Sequence, residues 1–313
     1  MQEYSAKFQA KGIPLIHMQH DQKLPPPPAQ GKLRARYSPV SAYRALAQHY
    51  GWAIQQVFDG LDASLPTADR VIILEEDIHT APDFFSYMKA TSVILDQDSS
   101  LLAVSAYNDN GHQVKDTHRI LRSDFFPGLG WMMTRKLWKE ELESKWPPAY
   151  WDDWLREPAQ RKNRHVLRPE VSRTFHFGDK GGTSRNQFGS ILSRVRLNQD
   201  AVDWTQQDLS YLHEQPFDEQ YGKLLATASL ATTIKDAIDR VKTSNIRVEY
   251  TSLDEFKRYA EDLDIMKDEK AGIPRTAYKG VVEVRPYDEH ILFLTPVTAK
   301  LEASFPALAA MET

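Results

Sequence analysis

Apolar positions change their period several times along the first third of the chain. Residues 12–18 (GIPLIHM) are a short apolar run of strand length, and the polar stretch behind them, with Pro25 to Pro28 and Gly31, cannot continue regular structure. From 38 to 61 the residues Tyr43, Leu46, Ala47, Tyr50, Ile54, Val57 and Phe58 recur at three- and four-residue steps, which predicts an amphipathic helix opened by Ser38-Pro39. Residues 70–74 (RVIIL) are a continuous β-branched run of the kind buried on both faces of a parallel sheet. Ala81-Pro82-Asp83 then starts a second helix over 84–95, and 101–106 (LLAVSA) is a further buried strand ending in a turn-rich loop, 107–111. Strand and helix alternate, so the expectation is an α/β sheet with crossovers, whose functional groups gather at the carboxyl ends of its strands.

The middle of the chain is rich in aromatic residues and glycine. It holds SDFFPGLGW (123–131), a predicted helix over 135–142, YWDDW (150–154) and FGDKGGTSRNQF (177–188). The last third predicts a helix over 225–242, a strand over 246–251, a helix over 254–263 and a strand pair flanking Pro286-Tyr287. A length of 313 residues fits about two domains, and 41% hydrophobic content supports a packed core rather than extended disorder. With 39 basic against 43 acidic residues and no basic block, a nucleic-acid partner bound through its phosphates is disfavoured. The absence of cysteine excludes disulfides, thiolate metal sites and a thiol nucleophile, and by itself reads as cytosolic. No apolar run approaches the ~20 residues of a membrane span. The ten histidines are scattered without His-x₃-His spacing, which disfavours a zinc hydrolase.

Four constellations can carry chemistry. Glu75, Glu76 and Asp77 directly follow the apolar run 71–74. Three carboxylates at the mouth of a strand repel one another unless a cation or hydrogen-bond donors offset them, so the choice is a divalent-ion site or a solvated acidic turn. In Trp151-Asp152-Asp153-Trp154 a carboxylate between indoles would suit a general base, while an aspartate at a helix start would suit a cap; one of the two is expected to cap. The glycine-rich run 178–184 lacks the Gly-Lys-Ser/Thr ending of a phosphate loop and is a weak signal alone. Residues 125–131 read either as core or as a platform for a sugar, with core the default.

Taken in order, LEEDIHTAPDFF (74–85), VSAYNDNG (104–111), RSDFFPGLGW (122–131), KWPPAYWDDWLREPAQR (145–161), RPEVSRTFHFGDKG (168–181) and LNQDAVDWTQQDLSYL (197–212) resemble the N-acetylglucosaminyltransferase I family. The resemblance continues through IRVEYTSLDEFKRYA and AGIPRTAYKGVV and covers about residues 38–296. It implies the glycosyltransferase A fold: a Rossmann-like mixed sheet with helices on both faces, plus a smaller C-terminal α+β domain. The corresponding division is a nucleotide-sugar-binding and catalytic domain over 1–222, a smaller domain over 223–300 and a tail over 301–313. The implied activity is Mn²⁺-dependent, inverting transfer of GlcNAc from UDP-GlcNAc to O2 of the terminal α-1,3-mannose of a high-mannose N-glycan on a glycoprotein.

The resemblance also implies roles for single residues. Asp77 would be the one protein ligand of Mn²⁺, Glu76 would approach the ribose, and Glu75 the GlcNAc hydroxyls. Asp152 would be the catalytic base, Trp151 and Arg156 would shape the donor site, and His49 would lie on the uracil side. Gly181, Gly182 and Thr183 match a loop that closes over the donor, with one residue inserted near Arg185, and Leu129 would lie on the acceptor side. The family's acidic motif is Glu-Asp-Asp, and Glu76 in its middle resembles the O-mannose-linked GlcNAc transferases instead, whereas Trp151 to Trp154 follow the N-glycan enzyme. Transfer to O-linked mannose is therefore the alternative within the same chemistry. The family's first nucleotide-contacting strands, stem and membrane anchor have no counterpart in the sequence, which leaves an inactive glycan-binding remnant as a further alternative. The implied location is the Golgi lumen, with membrane attachment only through an anchor that this sequence lacks.

Overall fold

Between Pro39 and Asp59 the predicted amphipathic pattern folds as helix α1, and Ala47, Tyr50, Ile54 and Phe58 on its inner face are buried. The computed structural model describes residues 7–8, 10–21, 39–60, 67–178, 189–287 and 289–309. Seven strands follow in the first two thirds: β1 (Arg70–Ile73), β2 (Ile78–Thr80), β3 (Leu101–Ser105), β4 (Ile120–Ser123), β5 (Trp131–Thr134), β6 (His165–Pro169) and β7 (Thr174–His176). Five of them form a mixed sheet in the order β1-β5-β3-β6-β4, in which only β3 and β6 pair in parallel. The mixed α/β class is the expected one.

Side-chain alternation along the strands builds a core on each face. On β5, Trp131 and Met133 face α1 while Met132 faces helix α2 (Phe84–Gln97); on β6, Val166 and Leu167 divide in the same way. After α3 (Trp151–Arg156), helix α4 (Glu214–Ala226) joins α2 on the second face through Phe217, Tyr221 and Leu225. The remainder is a smaller four-stranded sheet, β12 (Val282–Val284), β13 (Leu292–Thr295), β9 (Ile246–Glu249) and β8 (Ser229–Ala231), packed against helices α5 (Ile234–Arg240) and α6 (Leu253–Asp262). A separate two-stranded hairpin, β10 (Glu269–Lys270) with β11 (Ile273–Pro274), lies between α6 and β12 in the chain. Leu292 and Leu294 on β13 fill the small sheet's own core, but Phe293 between them enters the cluster that holds α2 and α4. The boundary expected at residue 222 falls inside α4.

Several local expectations change. Residues 12–18 form no strand: Ile13, Leu15 and Ile16 are exposed, and no described strand lies beside them to share backbone hydrogen bonds. β1 is half-buried instead of buried on both faces, because it is an edge among the described strands and its partner β5 runs antiparallel. The helix expected over 135–142 is α-helical only at Arg135–Leu137 and continues as a π turn, Trp138–Leu142, that turns both end residues into the core. The helix expected over 225–242 is broken into the end of α4, strand β8 and α5. Thr227, Thr232 and Thr233 resist helix, and the Thr233 side chain caps α5 by accepting from the Asp236 amide. Among the described residues no helix is long and apolar enough to cross a membrane.

Two buried polar nodes lock these layers. The Asp83 carboxylate, at the start of α2, accepts from Arg173 Nε at 3.2 Å, Asn198 Nδ2 at 2.9 Å and Trp204 Nε1 at 2.8 Å. Removing one partner of such a sealed pair costs about 3–5 kcal/mol. The second node joins the two sheets: Glu170 accepts from Arg119 at 3.1 Å and Arg285 at 2.7 Å, and Arg119 also grips Glu283 of β12. Burial pushes Glu170 up, but Arg119, Arg285 and the amides of Asp116 and Lys115 outweigh it and hold the carboxyl at about 2, below its ordinary 4.5. Its charged form therefore contributes about 3 kcal/mol above pH 4.5, lost as the pH falls from there towards 2. We expect Glu170→Gln to lower stability at neutral pH and to flatten the decline of the urea midpoint over that acid range. An unchanged acid profile would show that Glu170 does not carry the linkage.

Candidate active site

The carboxyl ends of β1 and β3 and the start of β5 lie at one end of the main sheet, since Trp131 pairs with both Ile73 and Ser105. Two cavities open there, of about 460 and 500 Å³. Asp152, Trp151, Arg156 and Leu129 line the first; His49, Glu76, Asp77 and Val71 to Ile73 of β1 line the second. Glu75 and His176 line both, so the expected residues divide between two chambers with a common wall.

That wall begins where β1 ends. Glu75 accepts a hydrogen bond from the buried Tyr50 hydroxyl of α1, which ties the acidic turn to the helix. Burial pushes the Glu75 carboxyl above its ordinary range; the Tyr50 bond opposes this and the charges of Asp77 and Glu76 add to it. Burial, reinforced by Glu75, likewise pushes the Tyr50 hydroxyl up, so it stays a donor. Glu76 points out into the second cavity. Asp77 is partly buried, with Oδ2 2.9 Å from His176 Nε2. Its Oδ1 is buried without any hydrogen-bond partner, and a Cβ on Gly178 would lie 2.1 Å from Oδ2, so only glycine leaves that carboxylate its place. A hard cation with oxygen ligands fits such an unsatisfied carboxylate oxygen. Among the described residues no three His, Asp or Glu side chains gather to enclose an ion, so most of its ligands would come from a bound molecule. His49, at the far side of this chamber, lies 3.3 Å from His20, whose ring stacks 4.4 Å from Trp52.

Asp152 stands on α3, across the first cavity. Neither aspartate caps this helix: the cap position is Tyr150, held left-handed at φ 52° after Pro147-Pro148, and Asp152 and Asp153 occupy the first turn. There both accept from Arg156 Nη1, at 3.0 and 2.9 Å, while Arg156 Nε donates to the Phe126 carbonyl at 2.9 Å. The carboxylate of Asp152 remains 39% exposed, open to the cavity. The expected wall of indoles is only half present. Trp151 is buried, with its ring stacked 4.2 Å from Tyr50 and 5.7 Å from Trp131, so it props α3 against α1 and the sheet. The aromatic faces at the rim are Tyr43 and Tyr150, 4.4 Å apart.

Leu129 reaches the first cavity through three successive left-handed residues, Gly128, Leu129 and Gly130. For leucine this conformation costs about 1–2 kcal/mol, and it persists because all three carbonyls are tied down. They accept, in order, from Ser105 Oγ, Thr174 Oγ1 and the Ala106 amide. Around it, Phe125, Phe126 and Trp131 are buried, so the run 125–131 is core at its ends and cavity wall in its middle. The far wall holds residues that carried no expected role. Asp109 is buried, bound by Arg275 at 2.6 Å through Oδ1 and without a partner at Oδ2, and Lys270 of the β10–β11 hairpin reaches Glu157 at 3.0 Å. Both Asp109 and Arg275 lie in the motifs VSAYNDNG and AGIPRTAYKGVV, and the only sequence signal was an acid in a turn and a base in a loop. Gly181, Gly182 and Thr183 lie outside the described residues.

Residues 6–304 match the GNT-I family. The chain belongs to this family. Among curated proteins, the alpha-1,3-mannosyl-glycoprotein 2-beta-N-acetylglucosaminyltransferase of Arabidopsis thaliana is 42% identical over 261 residues, which cover 82% of this chain and 57% of the relative. This GNT-I chain thus spans little more than half the length of that relative. The match takes in both sheets and every described residue of the two cavities.

The column of stacked rings around Trp151 gives a direct check on its part in the GNT-I site. Trp151→Ala is expected to cost about 3–5 kcal/mol in urea denaturation, and Trp151→Phe distinctly less because a ring still meets Tyr50. A Trp151→Ala chain as stable as the parent would place the indole outside the core.

Proposed function

We propose that this GNT-I family chain transfers GlcNAc from UDP-GlcNAc, with inversion and with Mn²⁺, to O2 of the terminal α-1,3-mannose of a high-mannose N-glycan in the Golgi lumen. The observation that carries the reading is the division of charge between the chambers. Asp152 is fixed on one side by Arg156, the acidic turn ending in the unsatisfied Asp77 lies on the other, and Glu75 is common to both.

In this reading the donor spans the common wall. Its nucleotide lies in the chamber of His49, Glu76 and Asp77, and its sugar reaches past Glu75 towards Asp152. Asp77 would hold the Mn²⁺ through its carboxylate, whose Oδ1 has no partner and whose Oδ2 faces His176. When bound, the ion would offset the charge that grows on the leaving diphosphate. Glu75, fixed by Tyr50, and Glu76 accept from sugar and ribose hydroxyls. The acceptor mannose enters the first chamber between the rings of Tyr43 and Tyr150 and the Leu129 loop, where apolar faces suit a sugar ring. Asp152 takes the proton from its attacking hydroxyl, and Arg156 holds that carboxylate in line. Attack from the Asp152 side and departure on the Asp77 side give inversion in one displacement. Gly181, Gly182 and Thr183 are assigned to a loop over the donor.

The test supplies the chain with UDP-GlcNAc, Mn²⁺ and a five-mannose N-glycan and follows the product by mass spectrometry. Asp152→Asn is expected to lower kcat by about 10²–10⁴-fold with UDP affinity nearly unchanged, and Asp77→Ala to abolish the Mn²⁺ dependence of UDP binding. Full activity in both variants would refute these roles. Product on an O-mannosyl peptide but not on the N-glycan would move the assignment to the other acceptor class.

A further inference from the structure

The contact between Asp77 and His176 is used by none of the steps above. β7 pairs antiparallel with β2 so that His176 stands opposite Ile78, and the next residue, Phe177, donates its amide to the Asp77 carbonyl at 3.0 Å. Gly178 then passes so close to the Asp77 carboxylate that no side chain fits. Three successive residues of this strand end are therefore pressed against Asp77, and the imidazole is the one side chain among them that meets its carboxylate, Nε2 to Oδ2 at 2.9 Å. Neither side chain is sealed in: His176 is 21% and Asp77 27% exposed, and His176 lines both chambers.

We propose that His176 is a second protein ligand of the ion assigned to Asp77, and that its nitrogen makes the site select a transition-metal ion over Mg²⁺. The inference rests on the Mn²⁺ and UDP reading above. Its geometry is independent of it: two ligands at about 2.1–2.2 Å from one ion and at right angles are about 3 Å apart, which is the separation of Nε2 and Oδ2. A neutral imidazole presents a lone pair at Nε2, and Asp77 supplies the hard oxygen. Imidazole suits transition metals, whereas Mg²⁺ is held by carboxylates, phosphates and water. A site of carboxylate and phosphate oxygens alone would discriminate weakly between Mn²⁺ and Mg²⁺.

The experiment is pulsed electron paramagnetic resonance of the chain with Mn²⁺ and UDP, alongside calorimetric titration of Mn²⁺ and of Mg²⁺ at saturating UDP. The wild-type spectrum is expected to show ¹⁴N coupling from one imidazole. His176→Ala, shown folded by its urea midpoint, is expected to lose that coupling and to bind Mn²⁺ at least about tenfold more weakly, with Mg²⁺ affinity changed less than about threefold, so that the preference for Mn²⁺ shrinks. His176→Gln, which keeps a polar contact to Asp77 but removes the nitrogen ligand, is expected to behave as the alanine variant does. Bound Mn²⁺ without ¹⁴N coupling in the wild type, or coupling that survives both variants, overturns this inference and leaves the proposed function standing. No Mn²⁺ binding in the presence of UDP overturns the proposed function and this inference together.

Discussion

The Asp83 carboxylate is buried at the start of α2 with three donors around it: Arg173, Asn198 and Trp204 each give it a hydrogen bond. These partners come from far along the chain, and Arg173 belongs to a segment that the site needs. Arg173 immediately precedes β7, and its backbone is stitched on both sides, donating to Ala106 and accepting from Ala81. β7 is thereby wedged between the ends of β3 and β2, which sets His176 against Asp77 and Thr174 beneath the Leu129 carbonyl. A guanidinium that must be buried beside one particular carboxylate has a single acceptable position, since any shift leaves a charge unpaired in a dry interior.

From that pin the site is assembled by short, tightly bonded turns instead of by regular elements. The acidic turn after β1 is held by a tyrosine from α1, the Leu129 loop by three hydrogen bonds to its carbonyls, and α3 by an indole column on one side and Arg156 on the other. Each device spends stability to place a polar group or to hold a strained backbone, and the apolar clusters on both faces of the sheet offset that cost. The two sheets contribute unequally. The turns at the end of the main one carry Glu75, Asp77 and Leu129, the small one is joined to it by Glu170 and its arginines, and the separate β10–β11 hairpin and Arg275 close the far side of the first cavity.

Much of the main layer was legible because its elements obey one period at a time. The spacing of Ala47, Tyr50, Ile54 and Phe58 predicts α1, and the unbroken apolar runs predict β1 and β3. Where period and neighbour disagreed, neighbour won. The run 12–18 has strand composition and no described strand beside it, and the threonines around β8 broke a helix that apolar spacing alone would continue. The site was half legible. Carboxylates next to a strand or between tryptophans are visible as strings, so Glu75 to Asp77 and Asp152 stood out, whereas the cap position expected of an aspartate is occupied by Tyr150, whose side chain makes no capping bond.

Residue order by itself determined the class of the fold, the family and the groups able to carry charge chemistry, because periodicity and motif spacing are local properties that survive without coordinates. Only the tertiary structure decided which of those groups share a wall. Asp77 and His176 are brought together by the pairing of β2 with β7, and Glu75 and Tyr50 by the packing of α1 on the sheet. Asp109, in the turn after β3, and Arg275, just after β11, meet at the wall of the first cavity although 166 residues apart. Such contacts depend on register and on the one arrangement in which every buried charge finds its partner, and neither is written in any short stretch of sequence.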